Sequence, residues 1–262
     1  MSQVLFAITP RIIIFYKSIR ICLLGAFITL AIFGCSSADK KEAETPEALF
    51  ERAKELEKNG RTEEAISKFQ EVKNKFPYSK LAIEAELAAA DVSYKEENYA
   101  EAQVAYQLFR DLHPKHPQIP LVIYQLAMSI YLQIPESIDR DLSITQSAID
   151  IFSELINQYP DYEHVAEAKE KRLDCLKKLT EKELYITNFY LKKKNWESAL
   201  VRAEGVLLNH KGLGYDDKAL ARASFAAARA NKNDLSEKYL KQLNQDFPGS
   251  KELEEVTDKY LH

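Results

Sequence analysis

Three segments of this chain set an alanine, an aromatic residue four positions later and a proline eight positions after that: Ala65–Phe69–Pro77, Ala102–Tyr106–Pro114 and Ala148–Phe152–Pro160. Four residues make about one helical turn, so the alanine and the ring share a helix face. The alanine lets a second helix come close, and the ring fills the groove beside it. The proline stops the helix and launches the next one. An amphipathic stretch precedes each segment, the chain has only seven glycines, and no sustained strand alternation is present. A spacing repeated in this way confines the chain to stacked pairs of helices.

Two further segments carry the pattern in weaker form. Asn195-Trp196-x2-Ala199 opens one second helix, but the proline expected near Lys211 is missing. Asp234 and Glu237 have the spacing of a capping box for the last one, which ends at Phe247-Pro248. The whole resembles the tetratricopeptide repeat, two antiparallel helices in about 34 residues. The expectation is an all-α superhelix of about five such repeats, with residues 250–260 as a short closing helix. Two departures stand out. Residues 133–142 form an insert inside the third repeat, and the first helix of the fourth is long, from about Tyr162 to Lys193, with Thr180 a candidate break.

Ahead of the repeats, Arg11, Lys17 and Arg20 precede an apolar run from Ile21 to Phe33, and no acidic residue comes before Asp39. This is the order of a secretory signal. The run falls short of the ~20 residues that span a bilayer. It ends in Ile32-Phe33-Gly34-Cys35-Ser36, which resembles the bacterial lipobox, in which the cysteine after the small residue is lipidated. That resemblance makes residues 1–34 a signal peptide and Cys35 the first residue of the mature protein. Cys35 then carries a diacylglycerol and an N-acyl chain, since one chain anchors marginally and two or more anchor stably. Ser36 in place of an aspartate favours the outer membrane. Residues 35–45 are small and polar and form a tether. Thr45-Pro46-Glu47 suits the start of a helix, so the repeat domain runs over 46–262.

The chain carries 36 basic and 40 acidic side chains, and its leader holds basic residues only, so the remainder is more acidic still. That argues against nucleic acid, whose binding depends on neutralised phosphates. Cys175 is the one cysteine left after the leader and the lipidated residue, so no internal disulfide forms, and its apolar-periodic setting marks it as a buried thiol. No catalytic set, metal site or further cofactor emerges. His113 and His116 bracket Pro114 as turn punctuation, and Gly212-Leu213-Gly214 lacks the third glycine of a nucleotide loop. Tyr185, Phe189, Tyr190 and Trp196 form an aromatic group that suits either repeat packing or a peptide-binding surface.

Particular motifs narrow the resemblance. Phe76-Pro77-x-Ser79 follows the first repeat, and Pro114-x-His116-Pro117-x-Ile119-x2-Val122-x-Tyr124 opens the third. Asp139-Arg140-Asp141 lies in the insert, and Phe189-Tyr190-x5-Trp196-x5-Arg202-x-Glu204-Gly205 spans the fourth. In this order they resemble the BamD family, lipoproteins of the outer-membrane β-barrel assembly machine. The resemblance implies a non-enzymatic role on the periplasmic face of the outer membrane. It implies three kinds of partner: a BamA-like barrel insertase, bound through that protein's periplasmic domains; unfolded outer-membrane proteins; and accessory lipoproteins of the same machine. It also points to Phe76, Tyr124, Phe189, Tyr190 and Arg202 as peptide- or partner-binding residues. Phe76 stands where the family has a tyrosine, Lys194 where it has a glycine and Leu142 where it has a proline. For Arg202, a salt bridge to a neighbouring helix is the competing role. The competing function is a lipidated repeat scaffold of another envelope system, secretin pilotin-like or a cell-division coordinator.

Overall fold

The computed structural model describes residues 44–255, so Cys35, most of the tether and the last part of the expected closing helix lie outside it. Among the described residues ten helices run in order: α1 Pro46–Lys58, α2 Thr62–Lys75, α3 Lys80–Lys95, α4 Tyr99–Leu112, α5 Ile119–Tyr131, α6 Ser143–Gln158, α7 Val165–Lys192, α8 Trp196–Asn209, α9 Asp216–Arg229 and α10 Asn233–Asp246. Residues 251–255 are helical again. Each helix packs mainly on its neighbours in sequence, the contact pattern of a repeat array. The pairs α1–α2, α3–α4, α5–α6, α7–α8 and α9–α10 are five tetratricopeptide-type repeats, and no strand occurs among the described residues.

The repeated spacing acts as its chemistry demands. Ala65, Ala102 and Ala148 are wholly buried, and so are Phe69, Tyr106 and Phe152 one turn on. In α8 the alanine persists as Ala199, but Ala203 takes the aromatic position. In α10 Ser236 replaces the alanine. Its hydroxyl donates to the Ser224 carbonyl at 3.0 Å while the Ser224 hydroxyl donates back to the Ser236 carbonyl at 3.1 Å, so a small polar pair sustains the close approach of α9 and α10. The apolar filling is uneven. α5 buries Ile119, Val122, Ile123, Leu126, Met128 and Ile130, whereas α9 buries Ala219, Ala221, Ala223, Ala226 and Ala227 with Leu220 as its one large aliphatic.

Four repeats turn between their helices in one way. Gly60, Glu97, Lys194 and Asn231 all take a left-handed φ, between 57° and 71°. In each case that residue's N–H bonds the carbonyl three back and the next N–H bonds the carbonyl five back, which is a Schellman close. The third repeat has the insert there instead. A side chain in the left-handed region costs about 1–2 kcal/mol, so Lys194→Gly and Glu97→Gly should each stabilise the array. The expected net gain is about 0.5–1 kcal/mol once the freer unfolded chain is counted, and urea denaturation checks it.

Two local expectations change, at Thr180 and at the Asp234–Glu237 capping box. α7 runs unbroken past Thr180, which is fully buried and donates its hydroxyl to the Leu176 carbonyl four back at 2.8 Å. The capping box at Asp234 and Glu237 does not form. The turn at Asn231 makes Lys232 the N-cap, so Asp234 already lies inside the first turn. The fourth repeat ends without proline by using Gly212 and Gly214, at φ 81° and 87°, with the Gly212 N–H donating to Asp216 at 2.9 Å. Cys175 is 1% exposed, and burial pushes its thiol up to about 12. Tyrosine–carboxylate bonds add cross-links between helices: Tyr106 to Asp91 at 2.7 Å, Tyr131 to Asp174 at 2.8 Å and Tyr239 to Glu204 at 2.7 Å. Burial raises the carboxyl of Asp91, and burial with the facing Asp174 pushes the Tyr131 phenol up to about 12.

Candidate functional site

The residues singled out from sequence fall in separate places. Phe76 caps α2, with its N–H on the Val72 carbonyl and its own carbonyl accepting from Ser79 N–H at 2.9 Å. Its ring is half-buried against the core of the first repeat. His113, Tyr159 and Phe247 hold the same place in their repeats, each before a proline and each with φ between −124° and −137°. His210 takes the same φ of −128° at the end of α8 with no proline after it, so this backbone belongs to the helix stop itself and Phe76 serves the turn first. Two residues on, Tyr78 is fully exposed, where the equivalent positions hold Lys115, Asp161 and Gly249. A lone aromatic in an otherwise polar turn is the signal that would have found it.

Tyr124 is corrected from a binding residue to a packing one. It is 7% exposed, its ring stacks on His164 at 4.6 Å, and Tyr162 lies 6.3 Å away. Burial and a hydrogen bond to Glu167 raise its phenol. A ring so enclosed leaves no face for a partner. His113 also faces inward, with Nε2 at 2.6 Å from Glu86, and among the described residues no three His, Cys, Asp or Glu side chains gather as a metal site would need.

The aromatic group of the fourth repeat divides. Tyr190 packs on the core around Ala199 and Ala226, and Trp196 meets Phe225 edge-on at 6.1 Å. Tyr185 and Phe189, one turn apart on α7, are about half exposed. A lysine ammonium lies over each ring: Lys182 at 5.8 Å from Tyr185 and Lys193 at 5.9 Å from Phe189. Lys182 also donates to the carbonyls of Ile138 at 2.7 Å and Arg140 at 3.0 Å. It pins the insert one turn from Tyr185. Within the insert, Asp141 accepts the Ser143 N–H at 2.9 Å and starts α6, while Arg140 stays exposed. The carboxyl of Asp139 is held below its usual range by a hydrogen bond from Ser137. The resulting surface is aromatic and cationic, suited to a chain segment bearing rings and a carboxylate.

Arg202 on α8 meets Glu183 on α7, with Nη1 at 3.1 and 3.3 Å from the two carboxylate oxygens. One nitrogen reaches both oxygens, so this is not a two-nitrogen fork, and Nε and Nη2 make no bond to Glu183. The side chains are 45% and 30% exposed. An exposed pair of this kind contributes about 0–1 kcal/mol. Glu204 is occupied instead by the Tyr239 hydroxyl. Glu183 and Phe189 are six residues apart, which at 100° per residue puts them on different sides of α7. Arg202 and the exposed aromatic pair therefore share a repeat but not a face. Sequence reasoning missed Glu183 and Lys182. Both sit among alternating charges on α7, where nothing marks a surface lysine or glutamate as one that crosses to another element.

Residues 42–243 match the model of the YfiO family, described as outer membrane lipoprotein. The chain belongs to this family. It is 24% identical to the outer membrane protein assembly factor BamD of Neisseria gonorrhoeae, over 87% of this chain and 91% of that protein. It is 29% identical to the BamD of Rickettsia prowazekii, over 86% of this chain and 90% of that one. Among solved structures it is similar to YrrB, a tetratricopeptide-repeat protein with an unusual peptide-binding site. That match has 15% identity and a TM-score of 0.37, over 85% of this chain and 97% of that one. A tetratricopeptide repeat protein from Parabacteroides merdae matches with 16% identity and a TM-score of 0.36, over 80% of this chain and 70% of that one.

Proposed function

We propose that this protein is an assembly factor of the outer-membrane β-barrel machinery. It binds unfolded outer-membrane proteins and the barrel insertase and supports their folding and insertion. The reading is carried by likeness to proteins named as outer membrane protein assembly factors along nearly their whole length. The site agrees in kind: it offers exposed aromatic and cationic side chains suited to binding a chain segment. Acyl chains on Cys35 hold the array on the periplasmic face of the outer membrane. The last two repeats engage the periplasmic domains of a BamA-like insertase, and accessory lipoproteins join the same assembly. Phe189 with Tyr185, and the free edge of Arg202, are the contact residues.

Arg202 supplies the test, because its ion pair is too exposed to matter much for folding. Arg202→Leu should weaken crosslinking of a C-terminal barrel-precursor peptide to photoreactive residues at position 76 and one turn from Arg202 on α8 by about tenfold, the effect of one lost charged contact. Its thermal melt should stay close to wild type. Arg202→Lys should restore part of the signal, since an ammonium keeps the charge without the planar fork. Stability and crosslinking lost together would reduce Arg202 to a structural ion pair. Purification of the tagged protein in mild detergent with a secretin or with division proteins, and without a barrel insertase, would favour the other envelope scaffold.

A further inference from the structure

The array contains its own control for which exposed residues are unusual. The second helices of the repeats align on their capping residues, Phe76, His113, Tyr159, His210 and Phe247. At nine, five and one positions before the cap, α2 carries Ser67, Glu71 and Lys75. At the same places α6 carries Asp150, Glu154 and Gln158, and α10 carries Lys238, Gln242 and Asp246. These are outward positions, and polar residues belong there. α4 has Val104, Leu108 and Leu112 instead, 66%, 48% and 54% exposed. They lie four residues apart, so they form one apolar ridge, about 12 Å long, on the outside of the second repeat. α8 keeps only a valine, Val201, of the three.

The ridge borders a groove. Between α2 and α4 a cavity of about 120 Å³ is floored by Ala85 and Ala89 of α3 and walled by Phe69, Phe109 and Leu108. Gln70 links it to a second, polar groove of about 370 Å³ at the N-terminal end of α4, which is lined by Glu63, Glu96 and Glu101. None of these three carboxylates is in an ion pair among the described residues. The seam between α2 and α4 is thus apolar on its floor and its α4 wall, crossed on the α2 side by the Lys73–Glu86 ion pair, and acidic at the end where Glu63, Glu96 and Glu101 lie.

We infer that this seam docks a basic amphipathic helix of a partner protein, with apolar residues on Val104, Leu108 and Leu112 and its cationic end at Glu63, Glu96 and Glu101. Three considerations fix the occupant. Every backbone group of α4 between its ends is already bonded within the helix, so the ridge has no free edge for an extended segment to pair with as an added strand and offers it side-chain contact alone. A helix satisfies its own backbone groups, and its i, i+4 ridge packs beside another helix ridge. Three partly exposed side chains offer far less than the ~800 Å² per partner of a stable complex, so a second copy of the chain would not be held by this face alone. A short helix tethered elsewhere in the same assembly needs no more than that, because the tether supplies effective concentration. The unpaired carboxylates select a cationic segment and disfavour an anionic membrane surface. The inference does not depend on how the α7–α8 surface is used.

The test uses the full-length lipidated protein in nanodiscs and a fluorescent, hydrocarbon-stapled helical peptide with leucines at i, i+4 and i+7 and lysines at one end. Anisotropy should show saturable binding that weakens with added salt. The triple variant Val104→Ser, Leu108→Glu, Leu112→Lys installs the residues α2 already tolerates. It should bind at least about tenfold more weakly and melt as wild type does. Glu63→Gln with Glu96→Gln and Glu101→Gln should lower affinity for the lysine peptide and leave a glutamine-ended version unaffected. If the triple variant melts early, Leu112→Lys alone, at the exposed end of the ridge, should still weaken binding several-fold. Unchanged binding by both ridge variants would overturn the inference. So would equal affinity for a proline-broken peptide of the same composition, which makes the occupant extended. Wild-type dimers in sedimentation that the ridge variant dissolves would also overturn it, in favour of a second copy.

Discussion

Ala102→Leu is expected to destabilise the array by about 1–3 kcal/mol, the cost of overpacking a filled contact. Ala102 is wholly buried, and Tyr106 and Phe109 beside it on α4 are equally enclosed, so the added carbons have no space to enter. The strain falls on the α3–α4 and α4–α5 contacts at once, because a central repeat is clamped from both sides. Lys68→Ala is the control. Lys68 is 37% exposed and meets Glu71 one turn on, so its loss should change stability by no more than about 0.5 kcal/mol. Paired thermal and urea melts decide the matter: an Ala102→Leu curve that overlays the wild type would remove Ala102 from the interhelical contact.

If the proposed anchor is right, Cys35→Ala should have the largest effect of any single change, since it takes away the sulfur that would carry the diacylglycerol. The variant should leave the outer-membrane fraction, either retained with its leader or released into the periplasm, and mass spectrometry should find no acyl modification at its N-terminus. The repeats themselves should be unaffected, because the described array begins at Pro46 and folds around its own cores. A variant that fractionates with the outer membrane as wild type does would show that something other than a lipidated Cys35 holds the protein there.

The repeats were legible because their signal is local. An alanine, a ring and a proline at fixed offsets specify one helix face and one helix end, and the three segments that carry them all folded so. The backbone at Lys194 was not legible: the resemblance puts a glycine there, and only the structure, with φ at 57°, supplies a physical reason for one. The candidate site was less legible. Tyr124 lies within a motif that resembles the family's, but a motif does not say whether a ring points inward, and here His164 and Tyr162 enclose it. Phe76 drew attention as an aromatic before proline, yet three other repeats place an aromatic or histidine in the same stop. A salt bridge from Arg202 to a neighbouring helix was among the readings, and the structure shows one, but the partners of long-range contacts were beyond reach. Lys182 to the insert and Arg202 to Glu183 join segments 42 and 19 residues apart, and nothing in either partner's neighbours announces the other.

The alanines of α9 have a mechanical consequence. A buried alanine removes little more than one methyl group from water, about 0.8 kcal/mol per carbon, where a buried isoleucine or leucine contributes about 1.5–3 kcal/mol. α5, walled in by large aliphatics, is therefore expensive to expose, while α9 is held by closeness of backbones and by the paired hydroxyls of Ser224 and Ser236. Regions with little buried apolar area open first in local unfolding. The array is thus graded in stiffness, firm at its centre and compliant towards its C-terminal end, so a partner gripping the last two repeats would meet the part of the molecule most able to adjust to it.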